Sequence, residues 1–178
     1  QQIQWILLLT LCIAVVSFAD DRVGVSPGIR FGVHAVVACS VVFGVGVKID
    51  TIAIPLLGTW VLGDASAFLT ALFLMWIVNL YNFMDGMDGF AGGMTVLGFA
   101  FLSGSAWIGG HEALGALALF IVAAAGGFLV YNMPPAKVFM GDVGSISLGF
   151  LTGALSVVGI SAGVFDVWVP ILIFSPFI

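Results

Sequence analysis

The chain has 178 residues, 62% of them hydrophobic and only 7% charged, with a net charge of −5. A soluble domain carries about a quarter charged residues to wet its surface, so the solvent around most of this chain must be lipid. Four Lys and Arg in total cannot build the positive stripe that nucleic acid requires, and long unbroken apolar runs do not fit the alternating strands of a membrane β-barrel.

A membrane-crossing helix needs about 20 predominantly apolar residues. In chain order the spans read as residues 3–19, 31–47, 65–82, 90–109, 113–131 and 146–162, with a seventh starting at Val167. The expected fold is therefore all-α, a polytopic transmembrane bundle of about six to seven spans forming one domain. The chain begins at Gln1 without Met and ends inside an apolar run, which reads as a fragment of a longer protein, truncated at both ends. Residues 51–63 are apolar but too short to cross, and they contain Pro55 and Gly58. They read as an interfacial hairpin or re-entrant segment on the extracytoplasmic side. Cys12 and Cys39 lie inside apolar runs and read as small packing residues, not as a disulfide or metal pair.

Parity then orders the connections. Two spans separate connection 20–30 from connection 82–89, and two more separate that one from connection 132–145. All three should emerge on one side. Arg22, Arg30 and Lys137 fall on that side and only Lys48 on the other, so the positive-inside rule makes it cytoplasmic.

The three connections carry Asp20, Asp21, Asp85, Asp88 and Asp142, five of the nine acids. Carboxylates at the membrane boundary are expensive and are usually paired, hydrated or functional. Asp20 and Asp21 close the first span. They suit a divalent cation, a cationic partner or a raised pKa, but taken alone the pair reads first as a solvated helix end neutralised by Arg22. Asp85 and Asp88 are three apart, so one helical turn would put both on one face. Gly86, Gly89, Gly92 and Gly93 open the backbone around them, and Asn79 and Asn82 add amide groups just before. In the third connection Pro134 and Pro135 stop a helix, and Lys137 offers a point charge to a phosphate. Asp142 stands between Gly141 and Gly144, ahead of a helix expected to begin near Ser145, where a carboxylate can hold the magnesium of a diphosphate. Phe139 is either an interface anchor or a stacking surface for a base, and the residues alone favour the anchor. His34, inside a span, reads as a packed or hydrogen-bonded histidine. His111 and Glu112 read as a solvated turn, and the five Trp as interfacial or packing aromatics.

At three motifs, ADDR at 19–22, NFMDGMDGFAGG at 82–93 and PAKVFMGDVGS at 135–145, the sequence resembles the polyprenyl-phosphate N-acetylhexosamine-1-phosphate transferases, glycosyltransferase family 4. It looks more like the branch that uses UDP-GlcNAc and undecaprenyl phosphate than the muramoyl-pentapeptide branch. The resemblance implies a magnesium-dependent enzyme, manganese being the alternative ion. It would transfer a sugar 1-phosphate from a UDP-sugar to polyprenyl phosphate, giving polyprenyl-diphospho-sugar and UMP. That is the initiating step of cell-envelope polysaccharides such as lipopolysaccharide O-antigen. It further implies that Asp142 ligates the metal with Asn82 nearby, and that Asp20 and Asp21 lie at the lipid phosphate, one as a base. Asp85 and Asp88 would bind nucleotide or shape the metal site, Lys137 and Gly141 would contact substrate, and Phe139 would stack on uracil. The implied location is the plasma (inner) membrane with the site facing the cytoplasm, and the resemblance allows a homodimer. The family's further cytoplasmic loop, His-rich in many members, would lie downstream of Ile178. The competing class is an ion-coupled transporter, but transporters place ionisable groups near the midplane and often show internal repeats. Here the acids sit at span ends and no repeat is visible. A non-catalytic scaffold would have no reason to concentrate Asp, Asn and Gly in its loops.

Overall fold

The computed structural model describes residues 1–54 and 56–175. Pro55 of the expected hairpin and residues 176–178 of the last expected span lie outside the described residues.

Helix α1 (Gln2–Val23) ends where Gly24 takes a left-handed conformation (φ 69°), the usual helix stop at a residue without a Cβ. Helix α2 (Pro27–Cys39) starts on Pro27, whose missing N–H costs nothing in a first turn. It runs on as a π-helical turn (Ser40–Val45) that Gly46 terminates. Strands β1 (Thr51–Ile54) and β2 (Gly58–Val61) pair antiparallel, with Thr51 opposite Val61 and Ile54 opposite Gly58. A 3₁₀ turn (Gly63–Ala65) then leads into α3 (Ser66–Met84). The rest is helical: α4 (Phe90–Ile108), α5 (Glu112–Asn132), α6 (Gly141–Ser161) and the short α7 (Trp168–Ile173).

Six of these helices, counting the π turn with α2 and the 3₁₀ turn with α3, are 19–22 residues long and apolar enough to cross a membrane. At 1.5 Å per residue they are about 28–33 Å long, which matches a hydrocarbon core of about 30 Å. The expected multi-span bundle is therefore what the chain forms. Of the seventh expected span, the described residues show the six-residue helix α7.

Helix α6 is the centre of the bundle. Of its most apolar stretch 72% is buried, against 17–44% for the other five. It packs between α1 and α3, while α4 and α5 form a second tight pair. Apolar driving force between helices is weak in lipid, so close packing of small residues must replace it. At Gly149 a Cβ would stand 2.8 Å from the Cβ of Tyr81 and 3.0 Å from the Cα of Val78, so α6 lies against α3 nearly backbone to backbone. The buried Tyr81 hydroxyl pairs with that of Thr95, tying α3 to α4. Large apolar side chains such as Leu11, Phe43, Phe68, Leu97, Phe120 and Val130 point outward, as a lipid-facing belt requires.

At one end of the bundle the hairpin is anchored by hydroxyls. Ser66 Oγ donates to the Ile49 carbonyl (2.7 Å), and Thr70 Oγ1 accepts from the Ile49 N–H (2.9 Å). Lys48 and Asp50 pair beside them at 2.9 Å, and this partner holds the Asp50 carboxyl below the usual carboxylate range. Residues 51–54 and 58–61 thus form the expected hairpin.

Three local expectations are corrected. Asp85 and Asp88 do not share a helical face, because α3 stops at Met84 and residues 85–89 are turns closed by Gly89 (φ 73°). Helix α6 begins at Gly141 and not near Ser145, which places Asp142 within its first turn. Arg22 does not neutralise the paired aspartates; its guanidinium lies 4.8 Å from the centre of the Phe18 ring.

Candidate active site

The three polar connections meet at one end of the bundle, as parity requires; a single guanidinium joins the first to the third, and side-chain hydrogen bonds join the second to the third. Arg30, in the first turn of α2, places Nη1 2.9 Å from Asp20 Oδ2 at the end of α1 and 3.4 Å from Asp142 Oδ2 at the start of α6. Asp20 is buried, and its other oxygen accepts the Val25 N–H at 2.6 Å. A buried carboxylate is tolerated only with such partners. Asp142 Oδ1 accepts from Asn82 Nδ2 at 2.8 Å, and the same nitrogen lies 2.9 Å from Ser145 Oγ. The Asn82 amide is thereby committed as a donor toward α6, leaving Oδ1 as its acceptor. The first turn of α6 also favours the negative charge of Asp142 through the helix dipole.

Asp85 stands just past the end of α3. Its own burial and then the charge of Asp142 push its pKa up to about 6. A carboxylate whose ionisation is disfavoured by a neighbouring carboxylate is suited to a shared cation. Asp21 comes to the same place: a Cβ on Gly141 would meet its Oδ2 at 3.4 Å. Gly141 has φ 65°, a conformation that costs an L side chain about 1–2 kcal/mol, so glycine here lets α6 begin directly beside Asp21.

The remaining expected residues are arranged differently. Asp88 is exposed and its Oδ2 accepts the Ala136 N–H at 2.9 Å, so it clamps the second connection to the third. Beside it Asn132, 4% exposed, accepts the Gly89 N–H and donates to the Val138 carbonyl, each at 2.9 Å. Lys137 is exposed, and its backbone N–H is bonded to the Tyr131 carbonyl at 2.8 Å. Phe139 is 72% exposed at the lip of this loop, a position open to stacking. Asn79 turns its amide back to the Met75 carbonyl one helical turn earlier and does not join the site.

Reading the sequence missed Arg30, Ser145 and Asn132. A signal for Arg30 existed. A carboxylate at the end of an apolar span needs a cation, and Arg22, two residues after Asp20, points to another side of the helix; the next basic residue is Arg30. His34 lies one turn deeper on the same face of α2, buried, with no hydrogen-bond partner on Nδ1 among the described residues. An apolar groove of about 700 Å³ lies between α1 and α2, lined by Trp5, Leu9, Val36 and Phe43 among others. It holds no charged side chain and takes no part in this constellation.

A bundle of membrane-length helices thus gathers acids, an arginine and an amide from α1, α2, α3 and α6 at one end. Residues 3–160 match the glycosyl transferase family 4 profile, and the chain belongs to that family. It is 37% identical over 164 residues to the probable undecaprenyl-phosphate N-acetylglucosaminyl 1-phosphate transferase of Bacillus subtilis (strain 168), covering 90% of this chain and 46% of that protein. It is 36% identical over 181 residues to the phospho-N-acetylmuramoyl-pentapeptide-transferase of Syntrophus aciditrophicus (strain SB), covering 86% of this chain and 50% of the other. The chain thus spans about half the length of these curated relatives.

Proposed function

We propose that this chain forms the cytoplasmic catalytic face of an enzyme that transfers N-acetylhexosamine 1-phosphate from a UDP-sugar to polyprenyl phosphate. An oxygen of the lipid phosphate attacks the β-phosphorus of the nucleotide sugar. The bond from that phosphorus to the bridging oxygen breaks, and the oxygen leaves with UMP. The observation that carries the reading is the contact chain from Asp20 through Arg30 and Asp142 to Asn82. It puts a buried, cation-paired carboxylate beside a second carboxylate group at the bilayer boundary.

Two anions must approach each other in this reaction, and their repulsion is the barrier that the site has to lower. Arg30 supplies one fixed positive charge and Lys137 a mobile one. Asp142 and Asp85, with the Asn82 carbonyl oxygen, fit a magnesium ion. Among the described residues no three His, Cys, Asp or Glu side chains form a complete metal cage, but magnesium is commonly held by one or two carboxylates plus substrate phosphates. When bound, the ion neutralises diphosphate charge and orients the phosphorus. Asp20 and Asp21 would meet the lipid phosphate as it enters from the membrane; Asp20 is engaged by Arg30, so Asp21 is the one suited to accept its proton. Asp88 and Asn132 hold the loop that presents Phe139 to a base. Arg22, Arg30 and Lys137 at this end, against Lys48 at the other, support a cytoplasmic orientation in the plasma membrane and a role at the first membrane step of an envelope polysaccharide.

UMP release by the full-length protein from UDP-GlcNAc, polyprenyl phosphate and magnesium tests the reading, with EDTA as the control arm. Asp142→Asn and Asp85→Asn should each lose transfer while keeping the fold; undiminished transfer in both would overturn the assignment. The likeness to a phospho-N-acetylmuramoyl-pentapeptide-transferase favours a muramoyl-pentapeptide donor as the second reading, and a side-by-side assay decides between the two.

A further inference from the structure

Every oxygen of the Asp142 carboxylate already has a partner: Oδ1 accepts from Asn82 at 2.8 Å, and Oδ2 faces Arg30 at 3.4 Å. Each oxygen keeps a further lone pair, so a cation can reach Asp142, but it does so against the positive charge of Arg30 3.4 Å from Oδ2. The two contacts of Arg30 are unequal. Its contact with Asp20 is 2.9 Å long and that side chain is 7% exposed, whereas the one with Asp142 is 3.4 Å long and that side chain is 29% exposed. The shorter, drier pair is the stronger, because attraction grows with proximity and falls with hydration. Asp20 is fixed further by the Val25 N–H, so the Asp142 contact is the one that can open.

We infer that Arg30 is an exchangeable counter-cation. It neutralises Asp142 while no divalent ion is present, releases it when one binds, and stays anchored on Asp20 throughout. This rests on reading Asp142 as a cation ligand and adds a step to it. Arg30 and the divalent ion compete for one carboxylate, so the site's affinity for the ion is held below what its acids alone would give. Release also frees guanidinium N–H groups for an incoming phosphate, so that cation entry and phosphate capture favour each other. Arg30 is thus a positioning residue whose replacement should tighten metal binding, the opposite of what loss of a merely structural ion pair would do.

Mn²⁺ binding to the full-length protein in nanodiscs, without nucleotide or lipid substrate, is read from the free-ion electron paramagnetic resonance signal. Arg30→Gln should bind Mn²⁺ about five- to tenfold more tightly than the natural protein, the scale expected for removing one partly solvated like charge. Arg30→Lys, which keeps the charge, should stay close to the natural affinity. Asp20→Asn removes the anchor, leaves Arg30 to Asp142 and should weaken binding, so it carries the test if Arg30→Gln does not fold. Equal or weaker binding in Arg30→Gln, or equal or tighter binding in Asp20→Asn, overturns the exchange. Asp142→Asn should abolish binding. If the natural protein binds no Mn²⁺, or if Asp142→Asn binds it normally, the cation reading of Asp142 falls and the exchange with it. If Asp142→Asn abolishes binding but the Arg30 and Asp20 variants leave it unchanged, only the exchange falls.

Discussion

Asn82 offers a direct measure of how much the orientation of Asp142 matters. Replacing it with alanine removes the 2.8 Å donor to Asp142 and the 2.9 Å donor to Ser145. A hydrogen bond to a charged group contributes about 1.5–3 kcal/mol and a neutral one about 0.5–1.5 kcal/mol. Asp142 is 29% exposed, so water can replace part of the first. Ser145 keeps its bond to the Gly141 carbonyl at 3.0 Å, so the second loss is small. The sum is about 1.5–2.5 kcal/mol. If it is felt only in the transition state, kcat/KM falls roughly 10- to 60-fold. Asn82→Asp keeps the shape but turns a donor into an anion facing Asp142, so its loss should be larger at neutral pH. The assay is UMP release by the full-length protein, with the melting temperature as a fold control and Asp64→Asn, at the opposite end of the bundle, as an unaffected variant. A kcat/KM for Asn82→Ala within about threefold of the natural value, with the fold intact, would refute the idea that Asn82 holds Asp142 for chemistry.

Three further outcomes follow from the same geometry. Asp85 has its pKa raised to about 6, so it is protonated below that pH and ionised above it. If its carboxylate is needed, kcat/KM should rise with pH through about 6, and the residual activity of Asp85→Asn should lose that acid limb in a pH 5–8 profile; an unchanged limb would assign it to another group. Gly149→Leu would drive a side chain into the Val78 backbone 3.0 Å away. Overpacking costs about 1–3 kcal/mol where neighbours can yield, and backbone yields little, so a clear drop in detergent melting temperature is expected, larger than for Gly149→Ala. Asp88→Ala loses the acceptor for the Ala136 N–H and should raise KM for the nucleotide sugar far more than KM for polyprenyl phosphate. Equal changes in both would show that the loop clamp has no special relation to the nucleotide.

The spans were legible because the bilayer imposes a length and a composition on every crossing segment, and both can be read locally along the chain. Parity and the positive-inside count needed nothing more, and they placed the connections around Asp20, Asp85 and Asp142 at one end. The hairpin at residues 51–63 was legible for the converse reason, being too short and too broken to cross. Helix boundaries were less so: the α6 start at Gly141 depends on a left-handed glycine beside Asp21, a contact between distant parts of the chain. Only the tertiary structure decided which residues share the site. Asn82 and Asp142 are 60 positions apart, and Asp85 and Asp88, alike in sequence, part ways because one faces Asp142 and the other reaches Ala136. The role of Arg30 was hidden for the same reason. Hydropathy says which side of the membrane a charge occupies, but a partner is chosen by which helix ends pack together, and the fit of α6 between α1 and α3 sets that.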